Sequence, residues 1–332
     1  MKLALALLAM AGLFPGLVPE SVGAVTARST VATVRISGRD YVRLTDWGTA
    51  HNLALRWLKR DESLQLGSPG SQITLTVDSS EAQINGVQVR LLYPLVSHNG
   101  APYLAQLDAQ TTFQPILYPP RDRAGAGPKT ICLDPGHGGK DPGFQVGGHD
   151  EKKYTLLLAQ ELREQLTRAG FKVSLTRTRD SFLELPDRPD LARRRNADLF
   201  ISLHFNAVAS SPGSVRGAEV YCLTPAGAPS TNARGQGSGA GWFAGNQHNE
   251  KNMFLAYQVQ KSLTQGLGVE DRAIHRARFA VLRDAIMPAV LIEAGYMSHP
   301  VEGQKIFDTG YRRQLARAIV NGIVAYKKSV ER

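Results

Sequence analysis

A chain of 332 residues, 42% of them apolar, is long enough for two domains with real cores. Its two cysteines exclude a disulfide framework, so packing must carry the fold. The formal net charge of +10 attracts polyanions, but no helix-turn-helix, zinc-finger or aromatic RNP-type motif is present, which argues against nucleic acid as the partner.

Lys2, the apolar run Leu3 to Leu13 and the small-residue pattern Val22-Gly23-Ala24 read as a signal peptide over residues 1–24. The apolar run is too short to span a bilayer, so the mature chain is expected in the periplasm or secreted, with no membrane span. The polyanions met there are cell-wall polymers and lipid head groups. The densest basic run, Arg193-Arg194-Arg195, reads as one solvated helix face.

Residues 30–120 read as short strands separated by turns. Thr33-Val34-Arg35-Ile36 and Ile73-Thr74-Leu75-Thr76-Val77 alternate apolar and polar side chains. Asn85-Gly86 lies between two such runs, a strong hairpin signal. Asp40 to Trp47 is weakly echoed by Ala101 to Asp108, each extended first and then helix-like. His51 and His98 stand alone, so this half holds no clustered metal ligands. From Val34 to Tyr118 the pattern resembles the small N-terminal domain of copper amine oxidases and of many exported cell-wall proteins. The resemblance implies a wall-binding or positioning role and supplies no copper site. The Pro- and Gly-rich stretch 121–128 reads as a linker.

From Lys129 the pattern changes to alternating strands and helices. The run Ile131-Cys132-Leu133 leads into Asp134-Pro135-Gly136-His137-Gly138-Gly139. A helix is expected from Glu151 to Ala169, with Tyr154, Leu158, Leu162 and Leu166 on one face and Gly170 as the stop. Strands follow at Phe171 to Thr176, at Leu199 to His204 behind a helix at Asp190 to Asn196, and at Ala218 to Leu223. Thr224 to Asn252 is rich in Gly, Ser, Ala and Asn, long for a loop. A helix at Met253 to Leu267, a strand ending at Glu293, and a last helix with Tyr311, Leu315, Ile319, Ile323 and Tyr326 on one face complete the chain. The expected fold is an α/β layered sheet flanked by helices on both faces, preceded by a small β-rich α+β domain. Cys132 and Cys222 each lie inside an apolar run and read as two buried thiols.

Ligands of open α/β sheets sit at the carboxyl ends of strands. His137, His204 and Glu293 fall there, and Glu151 opens a helix that can point at the same edge. Three N/O ligands with one open position is the pattern of a catalytic zinc site. His137 and His204 are the first two candidates, because neutral imidazole suits zinc. For the third, His149, Asp150, Glu151 and Glu293 remain open. Asp134 is a candidate partner for His137, Asn206 for His204 or substrate, and Arg283 for a peptide carboxylate or a structural ion pair. His149, His248, His275 and His299 stand in loop-like contexts.

Lys129 to Tyr326 resembles the zinc-dependent N-acetylmuramoyl-L-alanine amidases of bacterial cell-wall turnover, the type 3 class. The matching stretches are Leu133 to Gly139, Glu151-Lys152, Ala197 to Ala207, Arg278 to Arg283 and Met287 to Tyr296. The resemblance implies a catalytic domain over 129–328, zinc on His137, Glu151 and His204, and Glu293 as the catalytic glutamate. It implies hydrolysis of the amide between N-acetylmuramic acid and L-alanine in peptidoglycan, serving wall remodelling, daughter-cell separation or recycling. Some relatives carry a helix that blocks the site until an activator protein displaces it. Here Thr224 to Asn252 is too glycine-rich for a stable helix, which argues against an activator. A non-catalytic wall-binding protein and a zinc peptidase are the rival readings.

Overall fold

The computed structural model describes residues 31–122, 125–232 and 241–331. The signal-peptide reading of residues 1–24 lies outside the described residues, as do parts of the linker and of the Thr224 to Asn252 stretch. The described residues pack as one unit.

The chain starts with β1 (Thr33–Ile36), β2 (Arg39–Arg43) and the helix α1 (Leu44–Ala50). A meander follows: β3 (Ala54–Lys59), β4 (Ser63–Ser68), β5 (Ser71–Thr76), β6 (Glu81–Ile84) and β7 (Val87–Arg90). Asn85 and Gly86 turn β6 into β7 with φ of 49° and 82°, the left-handed conformations that an Asn-Gly hairpin turn supplies. Next come β8 (Val96–His98), β9 (Ala101–Ala105), α2 (Gln106–Asp108) and α3 (Gln114–Leu117), the two helical pieces joined by a wide turn at Ala109–Phe113. The two echoing segments lie side by side. β2 pairs antiparallel with β9 through Tyr41↔Ala105 and Val42↔Leu104, and each strand runs straight into its helix.

The second half contains β10 (Thr130–Pro135), the small hairpin β11 (Gln145–Val146) and β12 (His149–Asp150), and α4 (Glu151–Arg168). It continues through β13 (Lys172–Leu175), α5 (Asp187–Arg194), β14 (Leu199–Asn206), β15 (Ala218–Leu223) and α6 (Asn249–Lys261). It closes with β16 (Asp271–Ala277), α7 (Ala280–Arg283), β17 (Ala289–Tyr296), α8 (Pro300–Phe307) and α9 (Thr309–Val330). Tyr154, Leu158, Leu162 and Leu166 of α4 are all buried, as are Leu315, Ile319, Ile323 and Tyr326 of α9. Each fully buried leucine contributes about 1.5–3 kcal/mol, which explains why the two stripes hold the helices against the sheet. α4 ends as its glycine predicts: Gly170 has φ of 90°, and Gly170 N and Phe171 N donate to Thr167 O and Leu166 O, each at 3.0 Å.

One sheet of eleven strands runs β13-β10-β14-β17-β15-β16-β7-β6-β5-β4-β3. β13, β10, β14 and β17 are parallel, and β15 runs against β17. β16 then pairs in parallel with β7 through Ile274↔Val89, so the meander and the second-half strands share one sheet. α4, α6 and α9 cover one face of the second half, and α5 and α7 lie on the other. Beside the shared strands Arg276 is fully buried. Its Nη2 donates to Thr111 O at 2.6 Å and to the hydroxyls of Thr111 and Thr112 at 3.2 and 3.1 Å. Asp108, also fully buried, accepts from Leu92 N at 3.0 Å and Tyr93 N at 3.1 Å.

Cys132 and Cys222 are free and buried, as their apolar runs predict. Arg193 and Arg194 both pair with Asp190 on an exposed face of α5. Among the described residues no helix is long and apolar enough to cross a membrane.

Candidate metal centre

The site forms where β10 and β14 end and α4 begins. Gly136 N donates to Leu203 O at 3.0 Å, which carries the chain out of β10 alongside β14. His137 follows with φ of 61°, a left-handed conformation that is costly for a residue with a side chain. The close approach at this turn is available only to glycine: a Cβ on Gly136 would lie 2.3 Å from Cε1 of His204.

Glu151, the first residue of α4, is buried between the two imidazoles. Its Oε2 lies 3.0 Å from His137 Nε2 and accepts from Phe144 N at 3.0 Å. Its Oε1 lies 3.0 Å from His204 Nδ1 and accepts from Phe205 N at 3.1 Å. The donor atoms of His137, Glu151 and His204 all lie within 4.8 Å of one another. Two imidazole nitrogens and one carboxylate form a donor set suited to zinc. Of the open candidates for the third place, geometry brings in Glu151. His149 stacks on Phe307 with ring centroids 3.9 Å apart and bonds Tyr154 instead.

Electrostatics follow from this packing. Burial opposes charge on Glu151, yet the hydrogen bonds and charges of His137 and His204 pull its carboxyl well below the usual carboxylate range. Burial likewise disfavours protonated His137, but Glu151 and Asp141 outweigh it and raise that imidazole's pKa. The second nitrogen of His137 is held by Asp141, Nδ1 to Oδ2 at 2.8 Å. The partner role expected of Asp134 therefore belongs to Asp141. Asp134 instead accepts from Thr176, Ser202 and Arg188 at 2.6, 2.9 and 2.9 Å, pointing into the sheet rather than at the turn.

Glu293 sits in β17 directly beside His204 of β14. Part of the residue reaches solvent, but its Oε2 is enclosed and has no hydrogen-bond partner among the described residues. Burial, then the nearby charges of Glu151 and Glu219, raise its pKa well above that of a free carboxylate. A carboxyl so placed can hold and pass on a proton.

Glu219 is a residue that strand-end reasoning misses. It is buried and lies opposite Glu293 in the β15–β17 register, so His204, Glu293 and Glu219 form one row across three strands. Glu219 Oε1 accepts from Asn206 Nδ2 and from the Tyr296 hydroxyl at 3.2 Å. Asn206 therefore orients Glu219 rather than His204. His275, expected in a loop, lies buried in β16 with Nε2 3.5 Å from Glu219 Oε2. His299 caps α8, its Nδ1 accepting from Val301 N and Glu302 N at 3.2 and 3.1 Å. Arg283 packs over Phe243, 5.4 Å from the ring centroid, at the end of β17 away from Glu293.

An α/β sheet with an N/N/O trio at the edge of its parallel strands and a separate proton-holding carboxyl defines a candidate metal-centre protein. Residues 131–325 match the family described as N-acetylmuramoyl-L-alanine amidase, and the chain belongs to that family. Amidase AmiC of Neisseria meningitidis is 34% identical over 244 residues, covering 67% of this chain and 57% of the relative. AmiA of Salmonella typhimurium is 31% identical over 230 residues, covering 62% of this chain and 79% of the relative. This chain thus spans just over half the length of the Neisseria relative. Among solved structures, amidase AmiC2 of Nostoc punctiforme is similar with a TM-score of 0.51 at 32% identity, covering 61% of this chain and 99% of that one. An amidase of Clostridium difficile is similar with a TM-score of 0.50 at 32% identity, over 60% and 97% of the two chains.

Proposed function

We propose that this chain is a zinc-dependent N-acetylmuramoyl-L-alanine amidase that cleaves peptidoglycan in the periplasm or outside the cell. The observation that carries the reading is the pairing of two elements inside the family-matched segment. One is the convergent His137, Glu151 and His204 trio; the other is a distinct carboxyl at Glu293 whose Oε2 has no hydrogen-bond partner among the described residues.

In this reading His137 Nε2, His204 Nδ1 and the Glu151 carboxylate hold zinc. The metal supplies Lewis acidity toward water and the scissile carbonyl when bound. Asp141 fixes the tautomer and ring orientation of His137 through Nδ1. Glu293 takes the proton of the attacking water at its carboxylate and returns it to the departing α-amine of L-alanine. Enclosure of Oε2 keeps that proton from bulk water, and Glu219 alongside favours the protonated form. The N-terminal segment, read as a module like the N-terminal domain of copper amine oxidases, positions the catalytic half on the wall. Its paired β-then-helix repeats are what supports the likeness to that module.

Digestion of purified sacculi with the zinc-loaded chain tests the reading. Stem peptides with a free N-terminal L-alanine are the expected product. Shortened peptides with the muramyl–alanine bond intact would identify a peptidase, and binding without release would identify a wall-binding protein.

A further inference from the structure

Two arginines that the chemistry above does not use lie behind the metal trio. Arg177 and Arg188 are 3% and 2% exposed, although arginine is seldom so deeply buried. Between them they grip three consecutive carbonyls of the His137 turn. Arg188 donates Nη1 to Pro135 O and Nη2 to His137 O, both at 3.0 Å. Arg177 donates Nε to Pro135 O at 3.0 Å and Nη2 to Gly136 O at 2.8 Å. Pro135 and Gly136 are buried and His137 is half-buried, so carbonyls left there without donors would cost free energy.

Arg177 does more than satisfy the turn. The same Nη2 also donates to Lys152 O at 2.8 Å and to Thr155 Oγ1 at 3.1 Å, both in the first turns of α4. Thr155 Oγ1 in turn donates to Gly136 O at 2.9 Å. One planar guanidinium thus spans the segment that carries His137 and the segment that carries Glu151. A fixed fork of donors suits that bridge, which a lysine ammonium would not reproduce.

We propose that Arg177, assisted by Arg188 and Thr155, is a positioning residue that sets the spacing between His137 and Glu151 and so holds the site ready for metal. The inference rests on the metal-site reading given above. It assigns no role in bond breaking to either arginine. Metal affinity depends on ligand geometry and on the groups that hold the ligands, whose loss weakens binding by about 10–100-fold.

The test measures zinc and cobalt affinity of the full chain by competition with a chelating dye, and records the ligand-field spectrum of the cobalt form. Arg177→Met is expected to bind metal about 10–100-fold more weakly with an altered cobalt spectrum, and Arg177→Lys to recover only part of the loss. Arg276→Met removes an equally buried arginine away from the site and should leave metal affinity unchanged. A folded Arg177→Met chain with wild-type affinity and spectrum would overturn the proposal, as would equal weakening in Arg276→Met. If Arg177→Met does not fold, Thr155→Val removes one strut of the same bridge and decides instead: severalfold weaker binding supports the proposal and unchanged binding overturns it. A wild-type chain that binds neither metal would refute the metal-site reading itself.

Discussion

Gly136→Ala isolates the geometry of the metal trio with a single methyl group. The φ of Gly136 is outside the left-handed region, so alanine fits the backbone and the perturbation is purely steric. The new Cβ would stand 2.3 Å from His204 Cε1, 2.4 Å from Nε2 and 2.7 Å from Nδ1. Ordinary carbon contacts lie at about 3.5–4.0 Å, so a gap of roughly 1.2 Å or more must open. The backbone of Gly136 is pinned from both sides, by Leu203 O at 3.0 Å and by Arg177 and Thr155 at 2.8 and 2.9 Å. The imidazole is therefore the part that gives, and it moves off Glu151. Metal sites tolerate errors of about 0.2 Å in ligand distance, and a misplacement of about 1 Å at a reacting centre costs about 10²-fold in rate.

Overpacking of this kind destabilises by about 1–3 kcal/mol, less than the roughly 5–15 kcal/mol that holds a domain together, so the variant should still fold. The assay is zinc per folded chain at a fixed free-zinc concentration, together with release of peptides with free N-terminal alanine from sacculi. Loss of zinc and a fall of about 10²-fold in rate are expected. Gly70→Ala is the control, because nothing lies within 4 Å of its Cβ position. A folded Gly136→Ala chain that keeps one zinc and the wild-type rate would refute the steric argument and with it the placement of His204 as a ligand.

Glu293→Gln should keep zinc while kcat falls by about 10²–10⁴-fold; parallel metal analysis and kinetics check this, and near-normal turnover would remove Glu293 from proton transfer. Asp141→Asn should weaken zinc binding by about 10–100-fold with little change in melting temperature, measured by dye competition on the folded chain; unchanged affinity would mean that His137 needs no partner at Nδ1. Asp108 supplies a pH prediction of opposite sign to the usual carboxylate: burial raises its pKa from 3.8 to about 6, so ionising it in the folded chain costs about 3 kcal/mol. That cost is absent below pH 4 and complete above about pH 6, so the stability of wild type relative to Asp108→Asn should fall by about 3 kcal/mol as pH rises between them. Denaturant melts at pH 4 and pH 7 measure the difference, and parallel behaviour of the two chains would show that Asp108 carries no such penalty.

Which parts of this site the sequence makes legible follows from strand direction. His137, His204 and Glu293 are visible as polar residues where apolar runs stop, and the rule that ligands gather at carboxyl ends of strands finds them. Glu219 escapes that rule for a physical reason. β15 runs against β17, so a residue near the start of its run reaches the same row as Glu293 near the end of its own. Alternating strands and helices read as parallel, and no residue within Ala218 to Leu223 marks the reversal. Asp141 is missed differently: its four-residue offset from His137 means contact on a helix, but here a glycine turn produces it.

The long-range features are harder still. The joining of β7 to β16 depends on pairing between Val89 and Ile274, distant in sequence and each ordinary in its own strand. Composition therefore marks a boundary at residues 121–128 that the sheet does not observe. Arginine is usually exposed, so nothing in the sequence marks Arg177 and Arg188 as buried. Their burial becomes intelligible only once the carbonyls of Pro135, Gly136 and His137 are seen to take them as donors. The turn at His137 thus sets a requirement elsewhere in the chain, and the two arginines meet it, Arg177 from the stretch after β13 and Arg188 from the first turn of α5. A reading that asks where the turn's carbonyls find their donors would look for cations there, and periodicity alone gives no reason to ask.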